Sequence, residues 1–221
     1  MNVLRILPLL LSVPVFAAGA EDSGEEKLRQ RFVTAYTSAQ TVDRRTEAVA
    51  MLKGVKEEKS QRLLVGMLGD MNEVVRKAAC ETIAGTPDKE GYFVKPLMGA
   101  LSDKSLVVRA AAADALSRAA IKADAVRALA LSLHALVAEK DARDADQKEA
   151  FDALMATYDT ALTRLSGKKS VKDDPRELGS FWLEYWKQNE ETLRAEDEKK
   201  MVVAPKSREG MAPDSFDQKK P

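Results

Sequence analysis

The sequence predicts an all-α fold arranged as a short right-handed α-solenoid of about four helix pairs with a C-terminal capping helix, and three observations lead there. Hydrophobic residues make up 45% of the 221 residues but aromatics only 5%, with alanine the recurrent small residue, which suits helices packed closely through small side chains. A shift of 33 residues lays Gly66, Leu68 and Asp70 over Gly99, Leu101 and Asp103. The same shift lays Val75, Arg76, Ala78, Ala79 and Ile83 over Val108, Arg109, Ala111, Ala112 and Leu116. Within each copy, apolar residues keep helical spacing on both sides of a turn rich in N-cap residues, Asp70 and Asn72 or Asp103 and Ser105.

Taken in order, residues 1–20 read as a secretory signal peptide. Arg5 supplies the positive start, Ile6 to Ala18 an apolar run too short and too interrupted by Pro8 and Pro14 to span a bilayer, and Ala18-Gly19-Ala20 the small-residue cleavage site. The expected mature chain starts at Glu21, is exported to a periplasmic or extracellular location, and has no stable membrane insertion. Residues 25–165 form the repeat domain. Leu28 to Ala39 is its first helix, and Arg45, Ala48 and Leu52 correspond to Arg76, Ala79 and Ile83. Leu64, Met67 and Leu68 mark the first helix of the next pair. Ala125 to Ala138 and Ala145 to Leu165 make a fourth, degenerate pair. Asp174 and Pro175 then offer an N-cap and a first-turn proline for a capping helix over 175–195, with both tryptophans on one face, Trp182 and Trp186, beside Tyr185. Charged residues dominate from Glu190 to Lys200, so that stretch is expected to fray, and residues 202–221 to form a disordered tail.

The run from Leu97 to Asp103 followed by Val107 to Leu116 resembles a HEAT repeat of the variant called PBS-lyase HEAT-like. The resemblance covers 58–120 best, then 25–54, and least 123–165, where no Asp and Arg stand six apart. It implies a proline kink at Pro96 in a first helix. It also implies that Asp70, Arg76, Asp103 and Arg109 form a structural ladder between adjacent units. The segment around Trp182 and Trp186 resembles helices that close HEAT arrays in exported bacterial proteins, which assigns Trp182, Tyr185 and Trp186 to the cap. Independently of the family, one helix pair leaves too much apolar surface to stand alone, so the units must stack.

Charge and residue counts exclude several functions. With 35 basic and 35 acidic residues, the chain lacks the electrostatic footprint of a general nucleic-acid binder. One His and one Cys cannot build a multi-His or multi-Cys metal site, and no cofactor motif or nucleophile elbow occurs. His134 reads as a flanking or satisfied core residue beside an apolar stripe, and Cys80, equivalent to Val49 and Ala113, as buried packing. Phycobilin lyases and alkyl-base DNA glycosylases carry related repeats, but export and a mixed-charge face argue against both. The expected function is a non-enzymatic scaffold that binds a protein or peptide partner on the concave face of its second helices. The expected contact residues are Lys77, Glu81, Leu106, Ala110 and Asp114, because Leu106 and Ala110 replace Glu73 and Lys77 at equivalent positions. The alternative is a cell-envelope carbohydrate-binding module that uses the Trp182, Tyr185 and Trp186 face.

Overall fold

The computed structural model describes residues 24–88, 90–141 and 144–203. The signal segment 1–20, its cleavage point at Glu21, and residues 204–221 of the expected tail lie outside the described residues. Among the described residues the chain is all helical: α1 (Gly24–Ser38), α2 (Val42–Ala50), α3 (Glu58–Gly66), α4 (Glu73–Ala84), α5 (Val94–Ala100), α6 (Leu106–Leu116), α7 (Ala123–Asp141), α8 (Ala145–Ser166) and α9 (Pro175–Val203). A single 3-10 turn, Met67–Gly69, extends α3.

The helices form a short α-solenoid of two layers. Each of α1, α3, α5 and α7 packs on the helix that follows it, while α2, α4, α6 and α8 stack on one another in chain order. Alanines make that stacking close: Ala48, Ala79, Ala112 and Ala113 are buried along the second-helix row. One apolar cluster runs from Phe32 through Leu64, Ile83, Leu116 and Leu133 to Leu193, so the units share a core.

Local chemistry sets the boundaries. The Thr41 hydroxyl accepts from the Arg44 amide at 3.3 Å to start α2, and the Asn72 side chain accepts from the Val74 amide at 2.8 Å to start α4. Asp174 accepts from the Arg176 and Glu177 amides at 2.8 and 3.1 Å, with Pro175 as the first helical residue of α9. Gly167 ends α8 in the left-handed region at φ 69°.

Two expectations need correction. Pro96 does not kink a longer helix: α5 begins at Val94, so the missing amide falls in the first turn, where no intrahelical acceptor exists. Nor does the last helix fray after about residue 195. It continues to Val203 because Leu193 and Asp197 are buried there despite the charged composition. Helix α9 runs antiparallel along α7, with Gly179 against His134 near one end and Asp197 at Lys122 and Ala123 at the other.

Candidate interaction surface on the second-helix layer

A ladder of charges fixes how the second helices sit. Arg76 donates from Nε and Nη2 to the two carboxylate oxygens of Asp103 at 2.7 and 2.8 Å, one unit further on. Its Nη1 turns back to the Asp70 and Met71 carbonyls at 2.9 and 3.2 Å. Arg109 repeats the reach, with Nη1 on Glu139 at 2.8 Å, and Arg45 of α2 lies 4.0 Å from Asp70. Asp70 and Asp103 also accept amides of their own turns, from Asn72 at 2.7 Å and Ser105 at 2.8 Å. The Arg76 guanidinium holds the Asp103 carboxyl below the usual carboxylate range, chiefly through that hydrogen bond. Tyr36 of α1 donates its hydroxyl to Asp70 and is pushed up to about 12, by burial first and by that acceptor second.

Arg76 and Arg109 therefore each bridge forward to the next unit and back to their own turn, Arg109 by donating Nε to the Asp103 carbonyl. Arg45 was legible as the counterpart of Arg76. Glu139 was not, because its carboxylate comes from the last turns of α7 rather than from an inter-helix turn.

The face outside the ladder departs from the sequence reading. Lys77 and Glu81 pair with each other along α4 at 2.8 Å, both about half exposed. Leu106 and Ala110 are not an open apolar patch: both are partly buried and pack against the core, because α6 is flanked in its own layer by α4 and α8 and keeps only a narrow exposed arc. The exposed apolar side chains at the start of the second helices are instead Val74 and Val107, equivalent positions one unit apart, with Met71 in the preceding turn 94% exposed.

Asp114 does lie at a concavity. A trough of about 240 Å³ separates α6 from α8, walled by Ala156, Thr157, Thr160 and Ala161, with Asp114, Ser117 and Arg164 lining it as well. Arg164 donates from Nη1 to Asp114 at 3.1 Å and to the Ser117 hydroxyl at 2.7 Å, and Arg118 donates to Asp114 at 3.2 Å. The repeat register could not supply Arg164, which belongs to the degenerate fourth pair 50 residues from Asp114.

The aromatic residues of α9 do not form an exposed platform. Trp182 is fully buried and donates its indole N–H to Asp159 of α8 at 2.6 Å; Trp186 is buried beneath Arg194, whose guanidinium lies 5.8 Å from the ring centroid; Tyr185 is half-buried. Trp182 meets Phe181 and Tyr185 edge to face, at centroid separations of 5.0 and 5.6 Å. Buried indoles offer no stacking surface to a sugar. A broader groove of about 850 Å³ lies beside them, between the 166–172 segment and the Phe181 and Tyr185 side of α9.

Cys80 is fully buried, and burial pushes its thiol up to about 12, with the nearby Asp103 charge adding to the effect. His134 is exposed on α7 beside Gly179. Among the described residues there is no group of three or more His, Cys, Asp or Glu side chains that could hold a metal ion, and no helix is long and apolar enough to cross a membrane.

The family of HEAT repeats matches residues 60–154, from α3 into the first half of α8, and this supports a HEAT-repeat protein. The matched stretch contains both aligned runs of the 33-residue repeat, 66–83 and 99–116, and the Arg76–Asp103 rung. No curated protein matches the chain.

Proposed function

We propose that the chain is an exported, non-enzymatic scaffold that binds a protein or peptide partner on the exposed face of α4, α6 and α8. HEAT repeats commonly act as protein-interaction scaffolds. The observation that carries the choice of face is the trough between α6 and α8, a concavity with small walls and charged groups at its lining. Rigid stacking of the second helices means that a partner docks with little rearrangement of the array.

Photo-crosslinking residues at Lys77 and Ala156 on this layer, and at the exposed Val33 and Leu131 of α1 and α7, test the reading in the native host. Cross-links to a partner from Lys77 and Ala156, and none from Val33 or Leu131, are expected. Cross-links only from Val33 or Leu131 would overturn it. Export is tested separately by N-terminal peptide mass spectrometry, with Glu21 the expected first residue and an intact Met1 the contrary result.

A further inference from the structure

Two arginines of this chain use their guanidinium groups in opposite ways. At Arg76 the Nε and Nη2 edge, the edge that matches a carboxylate, is filled by both oxygens of Asp103. At Arg164 a single nitrogen, Nη1, makes the bonds to Asp114 and Ser117, and the Nε and Nη2 edge has no partner among the described residues. Asp114 and Ser117 thus brace the group from one side. Ser117 is itself buried and donates its hydroxyl to the Asp114 carbonyl at 2.6 Å, so the brace is tied to the end of α6.

Arg118 and Arg164 both donate to the one carboxylate of Asp114; Arg164 and Asp114 line the trough, and Arg118 stands beside it. All three side chains are about half exposed, so a partner reaches them without unfolding anything. Beside them, Ala156, Thr157, Thr160 and Ala161 leave room for one extended stretch of main chain or a single side chain.

We propose that Arg164 is a carboxylate anchor, and that the trough between α6 and α8 takes an extended peptide segment of a partner through an Asp or Glu side chain bound on the Nε and Nη2 edge. This rests on the reading of the second-helix layer as the interaction face, and it adds the chemistry of what binds there. The fork takes two oxygens of one oxyanion, which among unmodified peptide side chains means a carboxylate, and a lysine cannot replace it. Partial exposure makes the contact selective and salt-sensitive more than tight.

The test uses the full chain and two blocked pentapeptides, acetyl-Ala-Ala-Glu-Ala-Ala-amide and its Gln twin, titrated at millimolar concentration while amide and arginine Nε–H resonances are followed. The Glu peptide is expected to shift the Arg164 Nε–H signal and the amides of 156–161, and to bind at least about tenfold more tightly than the Gln peptide. Arg164→Gln should abolish the difference between the peptides. Arg164→Lys, which keeps the charge and removes the fork, should lose most of it. Circular dichroism confirms that both variants fold, since a half-exposed pair contributes little to stability. Equal binding of the two peptides, a preference that survives Arg164→Gln, or no shift at Arg164 would each overturn the anchor. If both peptides shift 156–161 alike, the anchor fails while the face stands. Cross-links confined to Val33 or Leu131 remove the face itself.

Discussion

Asp197 on the last helix accepts a hydrogen bond from the Ala123 amide at 2.7 Å, across 74 residues of chain, and thereby caps α7 from outside its own helix. The same carboxylate accepts from the Lys122 amide at 2.8 and 2.9 Å, and it is almost fully buried. Lys200 donates to the Ala120 carbonyl at 2.8 Å, and Arg194 lies 3.6 Å from Asp124, so the end of α9 is fastened around the start of α7.

Asp197→Ala should cost about 1–2 kcal/mol, because it removes an N-cap and leaves amides of α7 without their acceptor. Hydrogen exchange should rise first at residues 122–126, before global unfolding. Truncation after Lys200 should leave this region protected, and truncation after Glu196 should reproduce the Asp197→Ala pattern. Equal protection in all three would place the capping of α7 elsewhere.

Arg76→Ala breaks a nearly buried ion pair and strands Asp103, so a loss of about 3 kcal/mol in urea unfolding is expected. The pH dependence has a defined sign. Because the folded Asp103 carboxyl titrates below its ordinary value, its contribution is present above the carboxylate range and is lost as pH falls through the folded value. Arg76→Ala should therefore flatten the acid limb of the stability curve.

At the other end of the scale, Cys80 titrates near 12 when folded against 9.0 ordinarily. Above pH 9 the unfolded chain sheds a thiol proton that the folded chain keeps, so this contribution is full below about 9 and gone by about 12. Thiol reagents should leave native Cys80 unmodified at neutral pH. Cys80→Ala should reduce the alkaline loss of stability, and an unchanged alkaline limb would mean that the buried tyrosines Tyr158 and Tyr36, both raised by burial, dominate it.

Gly179 lets α9 approach α7, since a Cβ there would stand 3.2 Å from the His134 Cα. Gly179→Ala would gain about 1 kcal/mol in an isolated helix. Here it should instead lose about 1–3 kcal/mol through overpacking. Trp182 and Trp186, the only tryptophans, report the result: their emission should shift to the red as the helices part. A stabilised variant with unchanged emission would show that the contact yields.

How much of this was legible in the sequence differs from element to element. The 33-residue shift exposed α3 to α6 because identical backbone environments demanded similar residues at Val75 and Val108 or Ala79 and Ala112. Pro175 and Asp174 gave away the start of α9 through local chemistry alone. Its true end stayed hidden, since Asp197 looks like any solvated acid until the amides of α7 are beside it. The exposure of Leu106 and Ala110 was overestimated for a related reason: it was read from their own helix, whereas α4 and α8 on either side decide it. Arg164 carried no repeat signal at all.

The forward reach of Arg76 to Asp103 and of Arg109 to Glu139 gives the array a grammar. Each of the two middle units presents a hook toward the C-terminus and an eye toward the N-terminus, so these units can be joined head to tail but not reversed. Excising the 33 residues 71–103, with Asp70 standing where Asp103 stood, would bring Asp70 in front of Ser105 and α6 while Arg45 keeps its eye. A shortened chain of this kind keeps its syntax, and the same rule allows extra units to be spliced in at the same seam.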